Sequence, residues 1–218
     1  KYPWVVDPML LPDDYGAAIA TLRSTERKLA SDPSWAATYN QQILEHRDRG
    51  VARKLTDEEI AKWKGAVFYL ATMALEQPKS LTTPVRLVFN SSQLFRGVSL
   101  NSCLAKGPDA YNNDLLGMLL RFRENHVVMI GDIKKMYNSV LLSLEDQHTH
   151  RFLWRNCEDR KPDVWCITRV NLGDRPAGTI AIVAKDNTAR MFAHINPEAA
   201  DVIIYCTYTD DVINSVKT

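Results

Sequence analysis

Two β-rich runs, Val202 to Tyr208 and Asp211 to Val216, are separated only by Thr209 and Asp210. So short a link between such runs predicts a β-hairpin, which fixes an antiparallel register and sets two aspartates at its tip. Taken alone, Tyr208-Thr209-Asp210-Asp211 reads as an ordinary turn, because aspartate favours turns. A second run changes the weight of the pair. His126 to Asp132, HVVMIGD, is a short apolar stretch of the kind expected for a buried strand, and it too ends in an acid. Carboxylates are the hard oxygen ligands that Mg2+ takes. Two such ions ~3.5–4 Å apart clamp the attacking and leaving oxygens of an in-line phosphoryl displacement.

The remaining order, helices first and strands and mixed elements after, predicts an α+β fold with an antiparallel sheet rather than a doubly wound one. Tyr15, Ala18, Ile19, Leu22 and Leu29 fall on one helical face. Asp32-Pro33 starts a second helix with an N-cap and a proline at its first position, stopping near Gly50. Thr56 with Glu59 forms a capping box for a third. AVFYLATMAL from Ala66 and the run Val85 to Phe89 read as two strands around a polar tip, Gln77 to Pro84. Pro108-Asp109 opens a helix with a Leu115, Leu116, Leu119, Leu120 stripe. RFLWR (151–155) and VWCITRV (164–170) read as strands, and a long helix follows Pro176 to about His194, where Asn196-Pro197 breaks it.

The chain has 218 residues, 45% hydrophobic and 24% charged, enough for a buried core and one or two subdomains. Its net charge of +1 means that any nucleic-acid affinity comes from local basic patches. No run of 18 apolar residues occurs, and KYPWVVDPML lacks the pattern of a signal peptide, so neither a membrane span nor a leader is expected. The four cysteines are scattered; a zinc site could recruit His148, His150, Cys157 and Cys166, but the spacings match no standard ligand frame.

The stretches TPVRLVFNSS, GVSLNSCLAKGPD, LLGMLLRFREN, GDIKKMYNSV, HRFLWRN, RVNLGDRPAGTIA and YTDD, in that order, resemble a reverse transcriptase of the LTR-retrotransposon type, BEL/Pao-like. The resemblance runs from about residue 10 to 218. It implies a polymerase right-hand palm and fingers, with an antiparallel palm sheet and helices packed on one face. Residues 1–64 would be a helical segment leading into the fingers, 65–125 the fingers with the first palm elements, and 126–218 the palm. The implied activity is RNA-directed DNA polymerisation with two Mg2+ ions, for which Mn2+ can substitute. Implied partners are an RNA or DNA template with primer, dNTP, and the thumb and RNase H segments of the same polyprotein, with no membrane. The implied location is a cytoplasmic virus-like particle, or the nucleus.

Residue roles follow from the same resemblance. Asp132 matches the motif A aspartate, and Asp210 and Asp211 the motif C pair; with the Ile133 carbonyl they would hold the metals. Tyr137, five residues after Asp132, matches the steric gate against ribonucleotides. Arg86 matches the fingers arginine at the incoming nucleotide, and Lys79, seven residues earlier, the lysine for the γ-phosphate. Gly173 matches the motif B glycine at the nucleotide, while Arg175, Tyr208 and Thr209 fall with the template-primer. Arg121, Arg123, Lys134, Lys135, Arg151 and Arg155 are candidates for phosphate contacts along the template-primer track. Four features depart from the family pattern: Asn90 stands where an acid is usual, Ala71-Thr72-Met73 where Pro-His-His is common, Leu172 where lentiviral enzymes have glutamine, and Thr209 where valine or methionine is more usual. Two rival readings follow, a non-catalytic, domesticated or decayed nucleic-acid-binding module and an RNA-directed RNA polymerase; Tyr137 argues against the second.

Overall fold

The computed structural model describes residues 1–77, 84–108 and 113–217. In chain order the elements are α1 (Tyr15–Leu29), α2 (Pro33–Asp48), β1 (Ala52–Lys54), α3 (Asp57–Lys62), β2 (Ala71–Glu76), β3 (Val85–Asn90), α4 (Leu115–Arg121), β4 (Val127–Asp132), α5 (Leu144–His148), β5 (Arg151–Trp154), β6 (Asp163–Ile167), α6 (Ala177–Phe192), α7 (Pro197–Tyr205), β7 (Thr207–Tyr208) and β8 (Asp211–Val216). All the strand pairs are antiparallel. The chain divides into two compact units: Lys1–Ala105 with Leu141–Arg175, and Lys106–Val140 with Pro176–Thr218. They interleave along the sequence.

The first unit is built on local signals that the sequence states openly. The Asp32 side chain accepts from Ser34 and Trp35 N–H to start α2, and the Thr56–Glu59 capping box starts α3. Sheet β1-β6-β5 and the β2-β3 hairpin carry its core. Leu29, Ile43, Val85 and Phe152 are fully buried, and Phe152 contacts Phe89 and Trp165 ring to ring. Helices also satisfy backbone groups at the hairpin edges. Thr25 Oγ1 donates to the Thr72 carbonyl at 2.9 Å, while the Gln42 side chain donates to the Val85 carbonyl at 2.8 Å and accepts from Leu87 N–H at 2.9 Å. The first expected strand begins only at Ala71, because Phe68 and Leu70 spend their N–H groups on His148 and Arg151 carbonyls instead.

The second unit holds sheet β4-β8-β7 with α4, α6 and α7. Three expectations are corrected here. The strand His126 to Asp132 forms as β4, but it is an edge strand with exposed side chains on both faces, Ile130 reaching 71% exposure. The leucine stripe of α4 is exposed as well, with Met118 as its buried residue; the helix starts at Leu115 under an Asp114 N-cap, and Asp109 lies outside the described residues. The first arm of the terminal hairpin is only Thr207–Tyr208, because Val202 to Tyr205 belong to α7. Asn196 caps that helix through Ala199 N–H, Pro197 occupies its first turn, and Glu198-Ala199-Ala200 propagate it into the β-branched run.

Candidate active site

The β4–β8 register places Asp132 directly opposite Asp211, at the end of the sheet where the β7–β8 turn lies. Asp210 precedes Asp211 in that turn, and its carbonyl accepts from Ile133 N–H at 2.8 Å. That bond ties the residue after β4 to the hairpin tip. Thr209 supplies the turn with a positive φ of 54°, an uncommon conformation for a β-branched residue. Lys135, just after β4, is also left-handed at φ 56° and leads into a 3-10 turn, Met136–Ser139. Backbone departures thus flank the acids on both sides, as they do at many functional sites.

The Asp132 and Asp211 side chains are exposed, and Asp210 is half-buried. Among the described residues, no three Asp, Glu, His or Cys side chains converge on one point as a metal cluster. The set is a facing pair plus a neighbour. Its chemistry nevertheless suits a hard divalent cation, and cross-strand partners have Cβ atoms only about 4.5–5.5 Å apart. The Ile133 carbonyl accepts from Met136 N–H at 3.1 Å and keeps a second lone pair. Tyr137 lies in the 3-10 turn, half-buried; burial first, and then the Asp210 charge, push its phenol above the ordinary range. An apolar cavity of about 630 Å³ opens in the same unit, lined by Ile133, Met136, Ala181, Phe192 and Ile203 among others, and no acid lines it.

Arg86, Gly173 and Arg175 belong to the first unit. Arg86 is exposed on β3, opposite Leu75. Gly173 has a structural reason to be glycine, since a Cβ there would lie 3.0 Å from the Phe89 carbonyl oxygen. The Arg175 side chain is exposed, and its N–H donates to Asn101 Oδ1 at 2.7 Å. Tyr208 is exposed on β7 and Thr209 half-buried. Lys79 lies outside the described residues. Two of the basic candidates have structural employment instead. Arg151 is buried and donates to His148 Nδ1, while Arg155 forms a two-point bond to Glu26 with a shortest contact of 2.6 Å. Arg121 donates to the Tyr205 carbonyl at 3.1 Å. The histidines considered for zinc are committed elsewhere, His148 to Arg151 and a stack on Trp63, His150 to Asp174.

Sequence reasoning overlooked a buried polar group in the first unit. Asp174, Ser91, His150, Asn171 and Tyr2 form one hydrogen-bonded cluster under the Gly173 turn. The stretch Gly173-Asp174-Arg175-Pro176 gave only a weak local signal, a lone acid in a turn.

No family model and no curated protein matches the chain. Solved structures do. The foamy viral protease-reverse transcriptase dRH in complex with double-stranded DNA superposes with a TM-score of 0.56 at 15% identity, covering 83% of this chain and 26% of that chain. The foamy viral protease-reverse transcriptase in complex with an RNA/DNA hybrid gives 0.56 at 16% identity, with 87% and 20% covered. Its complex with double-stranded DNA gives 0.53 at 15% identity, with 83% and 31% covered. The chain therefore spans under a third of the length of each of these proteins. Over most of its own length it has a reverse-transcriptase-like fold.

Proposed function

We propose that this chain is the fingers-and-palm core of a reverse transcriptase from an LTR retrotransposon, BEL/Pao-like, adding dNTPs to a primer 3′-end on an RNA or DNA template. The observation that carries the reading is the placement of Asp132 opposite Asp211, with Asp210 bonded through its carbonyl to Ile133 N–H. Asp132, Asp210 and Asp211, with the Ile133 carbonyl, are the residues that would hold two Mg2+ ions. When bound, the ions favour the primer 3′-oxyanion and neutralise the triphosphate and its leaving group. The Tyr137 ring lies under the incoming sugar and excludes a 2′-hydroxyl. Arg86 and Lys79 meet the triphosphate; Gly173 allows close approach of the nucleotide. Arg175, Tyr208 and Thr209 contact template and primer.

The test is Mg2+-dependent primer extension by the full protein, with Asp210→Asn as the control. Extension that this substitution abolishes supports the reading. A second reading, a non-catalytic nucleic-acid-binding module, is favoured by the lack of a converged three-acid cluster among the described residues. It predicts template-primer binding that Asp210→Asn leaves unchanged, with no extension by either form.

A further inference from the structure

Asp174 is buried but has no part in the chemistry above. Its carboxylate accepts from Tyr2 OH and Ser91 Oγ, each at 2.5 Å, and from Asn171 Nδ2 at 3.0 Å. His150 Nε2 lies 3.0 Å from the same group. His150 has no exposed surface, and its Nδ1 faces the Asp146 carbonyl at 2.7 Å. The Asp146 carbonyl and the Asp174 carboxylate thus offer an acceptor at each ring nitrogen, and Thr149 Oγ1 also lies 3.2 Å from Nδ1. Burial pulls the imidazolium down, but the Asp174 carboxylate and then Asp146 more than offset this and hold its pKa above the ordinary value. Burial likewise pushes Asp174 up, and His150, Ser91 and Tyr2 together hold it below the usual carboxylate range. Tyr2 is fixed in turn by its N–H to Asp146 Oδ2 at 2.9 Å and by an edge-on contact with the His150 ring.

Directly above this cluster runs the turn Asn171–Arg175. Asp174 N–H donates to the Asn171 carbonyl at 3.0 Å. Asn101 brackets the turn from the side, donating to the Gly173 carbonyl at 2.9 Å and accepting from Arg175 N–H at 2.7 Å. Asn171 and Asp174 point inward and are buried; Leu172, Gly173 and Arg175 are exposed, Leu172 by 56%. A tightly pinned turn thus presents one apolar side chain, one bare stretch of backbone and one guanidinium. Those are surfaces for a base, a sugar-phosphate backbone and a phosphate respectively.

We propose that Asp174 is a positioning residue, which through Tyr2, Ser91, Asn171 and His150 holds the Leu172–Arg175 turn in the arrangement that receives an incoming nucleoside triphosphate. The nucleotide half of this proposal rests on the polymerase reading; the hold on the turn does not. Two measurements separate them. In the first, hydrogen exchange on the 218-residue chain follows the Asp174 and Arg175 amides. Tyr2→Phe, which deletes one hydroxyl, and Asp174→Asn are expected to speed exchange there while β5 and β6 amides stay protected. Unchanged exchange at 174 and 175 in both variants overturns the proposal.

The second measurement is single-nucleotide insertion by the full protein. Asp174→Asn is expected to raise the KM for dNTP about tenfold or more and to leave kcat within about threefold, with Tyr2→Phe in the same direction but smaller. A merely structural role would lower the active fraction without moving KM. Accelerated exchange with an unchanged KM overturns the nucleotide role of the turn. Absence of any Mg2+-dependent insertion by the unsubstituted protein overturns the polymerase reading and that role with it, while exchange still decides whether the cluster holds the turn.

Discussion

Asp132 and Asp211 face each other directly across the β4–β8 ladder, continuing a register in which Ile130 faces Ile213 and Gly131 faces Val212. Like charges directly opposite on a sheet repel.

A metal ion between these strands would turn the repulsion into attraction. Mg2+ or Mn2+ at millimolar concentration is therefore expected to raise the thermal midpoint, as for any ligand that binds only the folded state. Asp211→Asn is expected to raise metal-free stability by about 0.5 kcal/mol and to lose most of the metal-induced rise. Differential scanning fluorimetry with and without the ion reads both effects. An equal metal response in the variant counts against a shared site.

Tyr137 sits in the turn that follows β4, next to the Asp210 charge. Tyr137→Ala is expected to admit ribonucleotides while dNTP use changes little. The measurement is the ratio of dNTP to rNTP insertion efficiency in an active form of the protein. An unchanged ratio removes the steric-gate role and revives the RNA-polymerase alternative.

Thr209 holds a left-handed backbone, which costs a residue with a Cβ about 1–2 kcal/mol relative to glycine. Thr209→Gly is expected to recover about 1 kcal/mol, less the greater chain entropy that glycine brings to the unfolded state. Urea titration gives the difference. If the strain fixes the position of Asp210, the same variant extends primers more slowly despite its greater stability.

Asp14 is buried beside α1, where both carboxylate oxygens accept from Tyr69 N–H at 3.0 and 3.1 Å. Burial raises its pKa to about 7, against the opposing pull of that N–H. Between the ordinary carboxylate value and about 7 the native state therefore binds more protons than the unfolded chain. Stability from this group is full at low pH and is lost as pH rises through that window. Asp14→Asn keeps an acceptor for Tyr69 and removes the charge. It is expected to match the parent near pH 3, below the ordinary carboxylate value, and to exceed it at pH 8, by urea titration at both. A constant difference between the two would contradict the buried-charge account.

Legibility followed the range of the interaction. The starts of α2 and α3 were readable because Asp32-Pro33 and Thr56–Glu59 act within one helical turn. The terminal hairpin was readable because its two-residue link leaves few registers. The position of β4 at an open edge was not, since VVMIG has the same apolar pattern whatever lies beside it. Nor was α7, where an Asn196-Pro197 start outweighs the strand preference of Val202 to Ile204. The three acids stood out because strand ends and turns are local features. The Tyr2–Asp174–His150 cluster did not, because its members are joined only by the tertiary fold, Tyr2 and Asp174 being 172 positions apart.

The open edge of β4 bears on how inactive variants are made. Between Val127 and Asp132 the only charge is the Asp132 carboxylate, on a strand whose apolar side chains face solvent and whose outer edge is unpaired among the described residues. A lone charge at such a place acts as a gatekeeper against strand-to-strand association. Replacing Asp132 by its amide therefore removes a candidate ligand and a solubilising charge in one step. Lost activity in that variant would be confounded with self-association, visible as a concentration-dependent sedimentation coefficient. Asp210, in the hairpin turn rather than on the edge strand, lets the other proposed ligand be removed while that charge remains.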